Sequence, residues 1–228
     1  MRAQALIFDL DGTLLDTEMI SGRSIAQVTQ ALGKPFEGPI RKAILGRPSA
    51  VWTRMVIADC GLEGRIEPRA FAEQWEANMA AMFHEMEEMP GATAFLRRMH
   101  ARGIPMALAT SSSRAAVEAK RKHHEELFSY FSVIVCGDDS DVKNGKPAPD
   151  IFLTAARRLL GDDVDPSRCI VFEDSVLGVA AGRAAGMITI ALPDPRFYPS
   201  LEEQAELFAA ADERITRLDA FDPDKYML

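Results

Sequence analysis

The chain has 228 residues, with 26 Lys and Arg against 34 Asp and Glu, so its formal net charge is −8. This length can bury a large core, and 47% hydrophobic residues argue against disorder. An acidic chain is a poor partner for DNA or RNA. No apolar run is long enough to span a membrane, so we expect no membrane partner. Cys60, Cys136 and Cys169 form no CxxC pair, which favours a reducing, cytoplasmic location.

The first predicted element is a short apolar strand, from Ala5 to Asp9. The following interval, from about Leu15 to Glu88, has apolar residues at helical spacing and no segment typical of a strand. Turn residues divide it into roughly four helices, which predicts an inserted bundle. We expect its last helix to carry a stripe of four methionines: Met79, Met82, Met86 and Met89.

After this interval, short apolar runs alternate with helical segments, which predicts an α/β fold with a parallel sheet covered by helices. A capping box from Ser200 to Glu203 predicts one late helix start. We expect one domain at 1–15 and 90–228 and an inserted helical domain at 16–89. The predicted strands are Ala5–Asp9, Ile104–Ala109, Val133–Cys136, Cys169–Glu173 and Ile188–Leu192.

Two carboxylates follow the first strand, Asp9 at its end and Asp11 two residues later. Alternate side chains of a strand share a face, so both can point into a cleft at the carboxyl edge, where open α/β sheets bind ligands. A divalent cation would relieve their repulsion, and oxygen-only ligation suits Mg²⁺. Standing alone, such a pair is more often a helix cap and a solvated turn.

Hydroxyl groups follow the second predicted strand. Thr110, Ser111 and Ser112 precede a helix that should begin near Arg114. Hydroxyls and free amides at the positive end of a helix can hold a phosphate. Simple capping of the helix is the alternative.

Charged residues follow the next two strands. Lys146 precedes Pro147 on a stiff, non-helical stretch, where its ammonium group can offset phosphate charge; most lysines are merely solvated. The fourth strand ends in Glu173 and Asp174. In the helix after them glycine recurs every four residues, which we expect to seat that helix closely rather than to bind a ligand: Gly178, Gly182 and Gly186.

Together these strand ends supply the parts that phosphoryl transfer requires: a nucleophile, an acid for the leaving oxygen, a metal and groups for the equatorial oxygens. Asp9 and Asp11 would be nucleophile and acid. Asp174 with Asp9 would hold the metal, and Lys146 with Thr110 the phosphate oxygens. This interpretation requires all five side chains to lie within a few ångströms of one another.

In chain order, the segments DLDGTLLDTE, LATSSS, GKPAPDIF and VFEDSVLGV resemble the four motifs of haloacid dehalogenase superfamily phosphatases. The resemblance implies a Rossmann-like core with a mobile helical cap. It implies that Asp9 forms an aspartyl phosphate, and that Asp11 protonates the leaving alcohol and then activates water. It also implies Mg²⁺ held by the Asp9 side chain, the Asp11 carbonyl and Asp174, with Glu173 assisting directly or through water.

From about residue 104 to 192 the chain is similar to the pseudouridine 5′-phosphatase and glycerol-3-phosphatase branch, and the similarity weakens across the inserted helices. The expected substrate is therefore a small sugar, polyol or nucleotide-like phosphomonoester. The composition permits a monomer or a homodimer. Ser111 and Ser112 are candidate phosphate contacts. Arg47 resembles a phosphate contact of related sugar-phosphate enzymes; the candidate contacts from the inserted helices are Glu18, Arg23, Arg47 and Trp52.

Three other functions share some of these features. A β-phosphoglucomutase-like enzyme has the same core motifs, but those mutases look to carry a histidine soon after the two acids, and here none precedes His84. A haloacid dehalogenase needs neither a second aspartate nor Mg²⁺. A non-catalytic phospho-acceptor domain needs no inserted helices.

Overall fold

The computed structural model describes residues 3–36 and 39–228. Within them, six strands form one parallel sheet in the order β3-β2-β1-β4-β5-β6. The predicted α/β fold is confirmed, with one strand more than the sequence indicated, because a two-residue strand has no detectable periodicity. The strands are β1 Ala5–Phe8, β2 Met106–Thr110, β3 Val133–Cys136, β4 Cys169–Glu173, β5 Ile188–Ala191 and β6 Glu213–Arg214.

Helices separate most of these strands, and five of the described α-helices lie between β1 and β2. Short 3₁₀ turns occur at Phe83–Glu85, Pro166–Arg168, Leu218–Ala220 and Pro223–Tyr226. No helix of the described chain is both long and apolar enough to cross a bilayer. The α-helices are α1 Thr17–Ala31, α2 Ile40–Ile44, α3 Ser49–Asp59, α4 Pro68–Ala81, α5 Ala92–Ala101, α6 Arg114–Arg121, α7 Glu125–Ser129, α8 Asp150–Leu160, α9 Val176–Ala184 and α10 Leu201–Leu207.

The chain divides into two compact units. The sheet unit ends its first segment at Asp16 and resumes at Glu87, and the helical unit spans Thr17–Met86. The sequence-based limits of 16–89 differ from these because the segments next to the junction pair with each other: Leu15 and Glu88 form an antiparallel bridge, and the Met89 amide donates to the Leu14 carbonyl at 2.8 Å. Backbone pairing keeps these residues in the sheet unit.

The sheet unit has its core on both faces of the sheet. All residues of β1, β2 and β4 are buried, which is why their sequences are uninterrupted apolar runs. On one face, Phe8 stacks on Phe172 with ring centroids 4.8 Å apart, and Phe95 packs edge-on against both rings. Because β1 lies between β2 and β4, residues that follow β1 lie between those that follow its neighbours.

The helical unit has a separate core. Trp52 of α3 packs edge-on against Phe71 and Trp75 of α4, with centroids 5.9 and 5.1 Å apart. The prediction of a methionine stripe on its last helix is wrong, because α4 ends at Ala81 and the chain turns through the 3₁₀ segment. Met86 is buried outside the helix, so the methionines fill space rather than line one helical face.

Candidate active site

Asp9 and Asp11 leave the carboxyl end of β1, at the middle of the sheet. The Asp9 amide donates to the Phe172 carbonyl at 3.0 Å, which extends the pairing with β4 by one residue. The chain then turns at Gly12, whose φ of +91° is in the region that favours glycine. Asp9 is only 6% exposed. The first of the predicted site residues is therefore fixed in a dry position beside the end of β4.

Lys146 joins Asp9 to Glu173, the last residue of β4. Its Nζ atom lies 2.5 Å from Asp9 Oδ1 and also contacts Glu173 Oε1. All three side chains are at least nine-tenths buried, and the ammonium lies over the Phe152 ring, 4.9 Å from its centroid. Burial raises the pKa of Asp9 to about 7; Lys146 opposes this shift, while Glu173 and Asp11 add to it. A further positive charge would favour the Asp9 carboxylate.

Hydroxyl and ammonium groups surround the Asp11 carboxylate. Its Oδ2 atom accepts from Thr110 Oγ1 at 3.2 Å and from Ser112 Oγ at 2.7 Å, and its Oδ1 atom contacts the Lys120 ammonium. Burial alone would raise the pKa of Asp11, but the charge and hydrogen bonds of these neighbours outweigh it and lower the pKa. The structure thus brings Thr110 and Ser112 to Asp11. Ser111 is exposed, and its backbone lies against Gly137.

Sequence reasoning missed Lys120, which lies in the last turn of α6 and is 3% exposed. No motif marks it, because it stands in the charged run AKRK. One signal was available: Lys120 follows Val117 by three residues and so shares the buried face of the helix. A lysine at an apolar position of a helix indicates a buried partner.

Asp174 lies against the turn that follows β1. Its Oδ1 atom accepts from Thr13 Oγ1 at 3.0 Å. Its carboxylate also occupies the space that a Cβ atom on Gly12 would need, so a larger residue there would push Asp174 away. The glycine that permits the turn therefore also allows Asp174 to approach the backbone next to Asp11.

The three glycines in and just after α9 have different surroundings. Gly178 leaves room for the Glu173 carboxylate, which a Cβ atom would overlap, and a Cβ on Gly182 would lie 2.7 Å from Thr189 Oγ1. Gly186 contacts nothing in this way and has a φ of +74° after the helix ends. The prediction that all three glycines let the helix pack closely is wrong for Gly186. At Gly178 the missing side chain leaves room for Glu173, a predicted site residue.

Glu173 is held at its second oxygen as well. Ser175 donates to Oε2 from its amide at 2.9 Å and from its hydroxyl at 3.0 Å. The same hydroxyl accepts from the Gly178 amide and caps α9. Glu173 is thus fixed between Lys146 on one side and the start of α9 on the other.

The donor set of this site fits Mg²⁺. Asp9, Asp11, Glu173 and Asp174 bring four carboxylates and Lys120 and Lys146 two ammonium groups, so the formal charge is 2 − 4 = −2, which one divalent cation would neutralise. Every candidate ligand is an oxygen, the atom type that Mg²⁺ prefers. A second acidic grouping, Cys136 with Asp138 and Asp139, differs because Arg114 and Arg158 already pair with Asp139.

The candidate contacts from the inserted helices are placed within the helical unit. Glu18 lies in the first turn of α1, where its carbonyl accepts from Arg41 Nη2 at 2.5 Å. Arg47 is exposed and donates from Nε to the Ala43 carbonyl at 2.7 Å. Arg23 pairs with Glu85, and Trp52 lies in the core. Trp52 is therefore a packing residue, while contact of Glu18, Arg23 and Arg47 with substrate stays a prediction.

A family model described as haloacid dehalogenase-like hydrolase matches residues 3–186. The chain belongs to this family. It is 35% identical to (DL)-glycerol-3-phosphatase 2 of Arabidopsis thaliana over 223 residues, 98% of this chain and 90% of that protein. It is 39% identical to the "Probable pseudouridine-5'-phosphatase" of Drosophila melanogaster over 97% of this chain and 93% of that protein.

Solved structures agree with this assignment. CbbY from Rhodobacter sphaeroides, in complex with phosphate, matches with a TM-score of 0.73 at 26% identity, and 96% of each chain is covered. The chain is accordingly a haloacid dehalogenase-like hydrolase of phosphoric monoesters, which confirms the resemblance and the enzyme class predicted from the four motifs.

Proposed function

We propose that this hydrolase is a Mg²⁺-dependent phosphatase that acts on a small phosphomonoester through an aspartyl phosphate on Asp9. One observation carries the proposal. Two carboxylates two residues apart, Asp9 and Asp11, lie at the same strand end, and each contacts its own buried lysine. Such a pair separates the roles of nucleophile and proton carrier between neighbouring carboxylates with different surroundings.

In the first step, an Asp9 carboxylate oxygen attacks phosphorus. The bond between phosphorus and the ester oxygen breaks with its electron pair on the leaving alcohol, which takes a proton from Asp11. The neighbours of Asp11 lower its pKa in the free site, and the negative charge of the bound phosphoryl group would offset this and favour the protonated form. In the second step, Asp11 takes a proton from a water molecule whose oxygen attacks phosphorus, and the bond to Asp9 breaks. Inorganic phosphate leaves and both carboxyl groups return to their starting states.

Positive and polar groups would hold the transferring phosphoryl group. Lys146 contacts Asp9, and the hydroxyls of Thr110 and Ser112 donate to Asp11, so these groups would surround a phosphate attacked by Asp9. When bound, Mg²⁺ would neutralise charge on the nucleophile and on the phosphate oxygens. The side chains of Asp9 and Asp174 and the carbonyl of Asp11 would hold the ion, with Glu173 assisting.

The proposed substrates are sugar, polyol or nucleotide-like phosphates. Two similar proteins support this range: one is named a (DL)-glycerol-3-phosphatase and the other a probable pseudouridine-5'-phosphatase. We assign the helical unit the role of a cap that selects the leaving alcohol, with Glu18 and Arg47 as candidate contacts. Nothing in the site favours the mutase alternative over hydrolysis.

The test is phosphate release from a panel of metabolite phosphates that includes glycerol 3-phosphate, pseudouridine 5′-phosphate and hexose phosphates. With Mg²⁺ we expect many equivalents of phosphate per chain, and none after chelation. Asp9→Asn should lower turnover by about 10⁴-fold or more, since loss of a nucleophile removes the covalent route. Asp59→Asn, at an exposed position of the helical unit, is the matched control.

Three results would contradict this function. Wild-type turnover by Asp9→Asn would remove the nucleophile assignment. Conversion of β-glucose 1-phosphate to the 6-phosphate without net release of phosphate would favour a mutase, and release of a single equivalent would favour a phospho-acceptor.

A further inference from the structure

Lys120 is a buried cation outside the four sequence motifs. Its ammonium contacts Asp11 Oδ1 and lies 3.0 Å from Ser112 Oγ, and its side chain is 4% exposed. Since Ser112 also donates to Asp11 Oδ2, the three side chains form a closed ring. A charged ring of this kind at the edge of the sheet is costly to desolvate.

Packing alone does not account for this lysine. The start of α6 is already held: Ser113 caps it, Asp138 accepts from the Arg114 amide at 2.8 Å, and the Arg114 guanidinium binds Asp139. Burying an ammonium and a carboxylate usually stabilises a fold no better than apolar side chains of similar volume. Methionine or leucine at position 120 would pack beside Val117 without that cost.

The contacts of Asp11 distinguish its two carboxylate oxygens. Lys120 engages Oδ1, while the hydroxyls of Thr110 and Ser112 engage Oδ2. These hydroxyls are the groups that the proposed function assigns to the phosphate. Oδ2 is therefore the oxygen on the phosphate side, and the contacts of Lys120 with Oδ1 and with Ser112 restrict rotation of the carboxyl group.

We infer that Lys120 is a positioning residue: its ammonium orients the Asp11 carboxyl group so that Oδ2 faces the leaving oxygen of the phosphomonoester. This inference rests on the proposed function. Lys120 acts through Asp11 and has no assigned contact with the substrate. Its loss should therefore affect proton transfer to the leaving group more than it affects phosphate binding.

Two substrates with different leaving groups separate this role from a structural one. Glycerol 3-phosphate, or whichever alkyl phosphate the wild type hydrolyses fastest, releases an alkoxide-like oxygen that needs a proton, whereas p-nitrophenyl phosphate releases a stable phenolate that does not. For Lys120→Met we expect kcat/KM to fall about 10²-fold for the alkyl ester and less than about 10-fold for the aryl ester, by the usual size of general acid catalysis. The ratio kcat/KM reports the steps through release of the alcohol, so a slower second step does not obscure the comparison.

The decisive quantity is the fall in kcat/KM for the alkyl ester divided by the fall for the aryl ester. Partial unfolding would lower both values of kcat/KM by the same factor and so would not change this ratio. Lys122→Met, at an exposed lysine two residues later, should leave both values unchanged. Lys120→Arg, which keeps the charge, should restore part of the alkyl activity, and it remains informative if Lys120→Met does not fold.

Equal losses for the two esters in Lys120→Met, or in Lys120→Arg if only that variant folds, would overturn the positioning role and leave the proposed phosphatase intact. A wild-type enzyme that releases phosphate from neither ester would overturn the proposed function first.

Discussion

The sheet unit and the helical unit differ in how their candidate functional residues are held. In the sheet unit, Asp9 and Glu173 are buried and share the Lys146 ammonium. In the helical unit, Arg47 is exposed and, among the contacts described, bonds only to the end of α2, whereas Trp52 is buried. We therefore expect reaction and stability to depend on the same residues in the first unit and on different residues in the second.

Among the variants that test this contrast between the units, Lys146→Met has the largest expected effect. The change leaves two buried carboxylates without their shared cation, which should lower the free energy of unfolding by about 3–5 kcal/mol. Turnover should fall by about 10²–10⁴-fold, since a positive group beside the transferring phosphoryl is lost. Thermal or urea unfolding and phosphate release measure the two effects.

Lys143→Met is the matched control, because Lys143 is exposed on the same loop and donates to the Ser140 carbonyl. It should change neither quantity. A Lys146→Met protein as stable as the wild type would show that the sheet unit does not couple its site to its stability, and the contrast between the units would be lost.

The sequence predicted much of the sheet-unit site because most of its residues, though not Lys146, lie at or just after strand ends. Carboxyl ends of parallel strands meet at one edge, so placing Asp9, Thr110 and Glu173 required only that the strands be recognised. Lys120 follows no strand and reaches Asp11 from the far end of α6, so its place depended on helix rotation and side-chain length. Helix rotation depends on tertiary packing, which the local sequence pattern does not specify.

Other features escaped prediction for local reasons. The strand at Glu213–Arg214 is short and charged, so only its pairing with β5 reveals it. The four methionines matched a helical period, but the period cannot show that the helix ends at Ala81. The substrate contacts of the helical unit are the least predictable, because an exposed arginine such as Arg47 has the same local pattern whether or not it binds a ligand.

Gly178→Ala should have an intermediate effect. Alanine normally favours a helix by about 1 kcal/mol over glycine, but here its Cβ would overlap the Glu173 carboxylate. We expect a net loss of about 1–3 kcal/mol in the free energy of unfolding, as for other overpacked sites. Turnover should fall by roughly 10-fold or more, because displacement of a site residue by about 1 Å is costly.

Gly182→Ala separates the loss of stability from the loss of turnover. Its Cβ would meet Thr189 in the same helix-sheet contact but away from Glu173, so it should lose stability and keep its turnover. If both variants lost turnover equally, the effect would come from the seating of α9 and not from Glu173.

The smallest expected effect is that of Arg47→Ala in the helical unit. The side chain is exposed and its one described hydrogen bond is to Ala43, so its removal should leave the melting temperature unchanged. If Arg47 contacts the substrate as the sequence predicts, KM should rise by about 3- to 10-fold with little change in kcat, the pattern of a lost binding contact. Steady-state kinetics on the best substrate, with Arg65→Ala as an exposed control in the same unit, would measure it. A fall in kcat at constant KM would instead mean that the helical unit takes part in the chemical step, and the division of roles between the two units would then have to be abandoned.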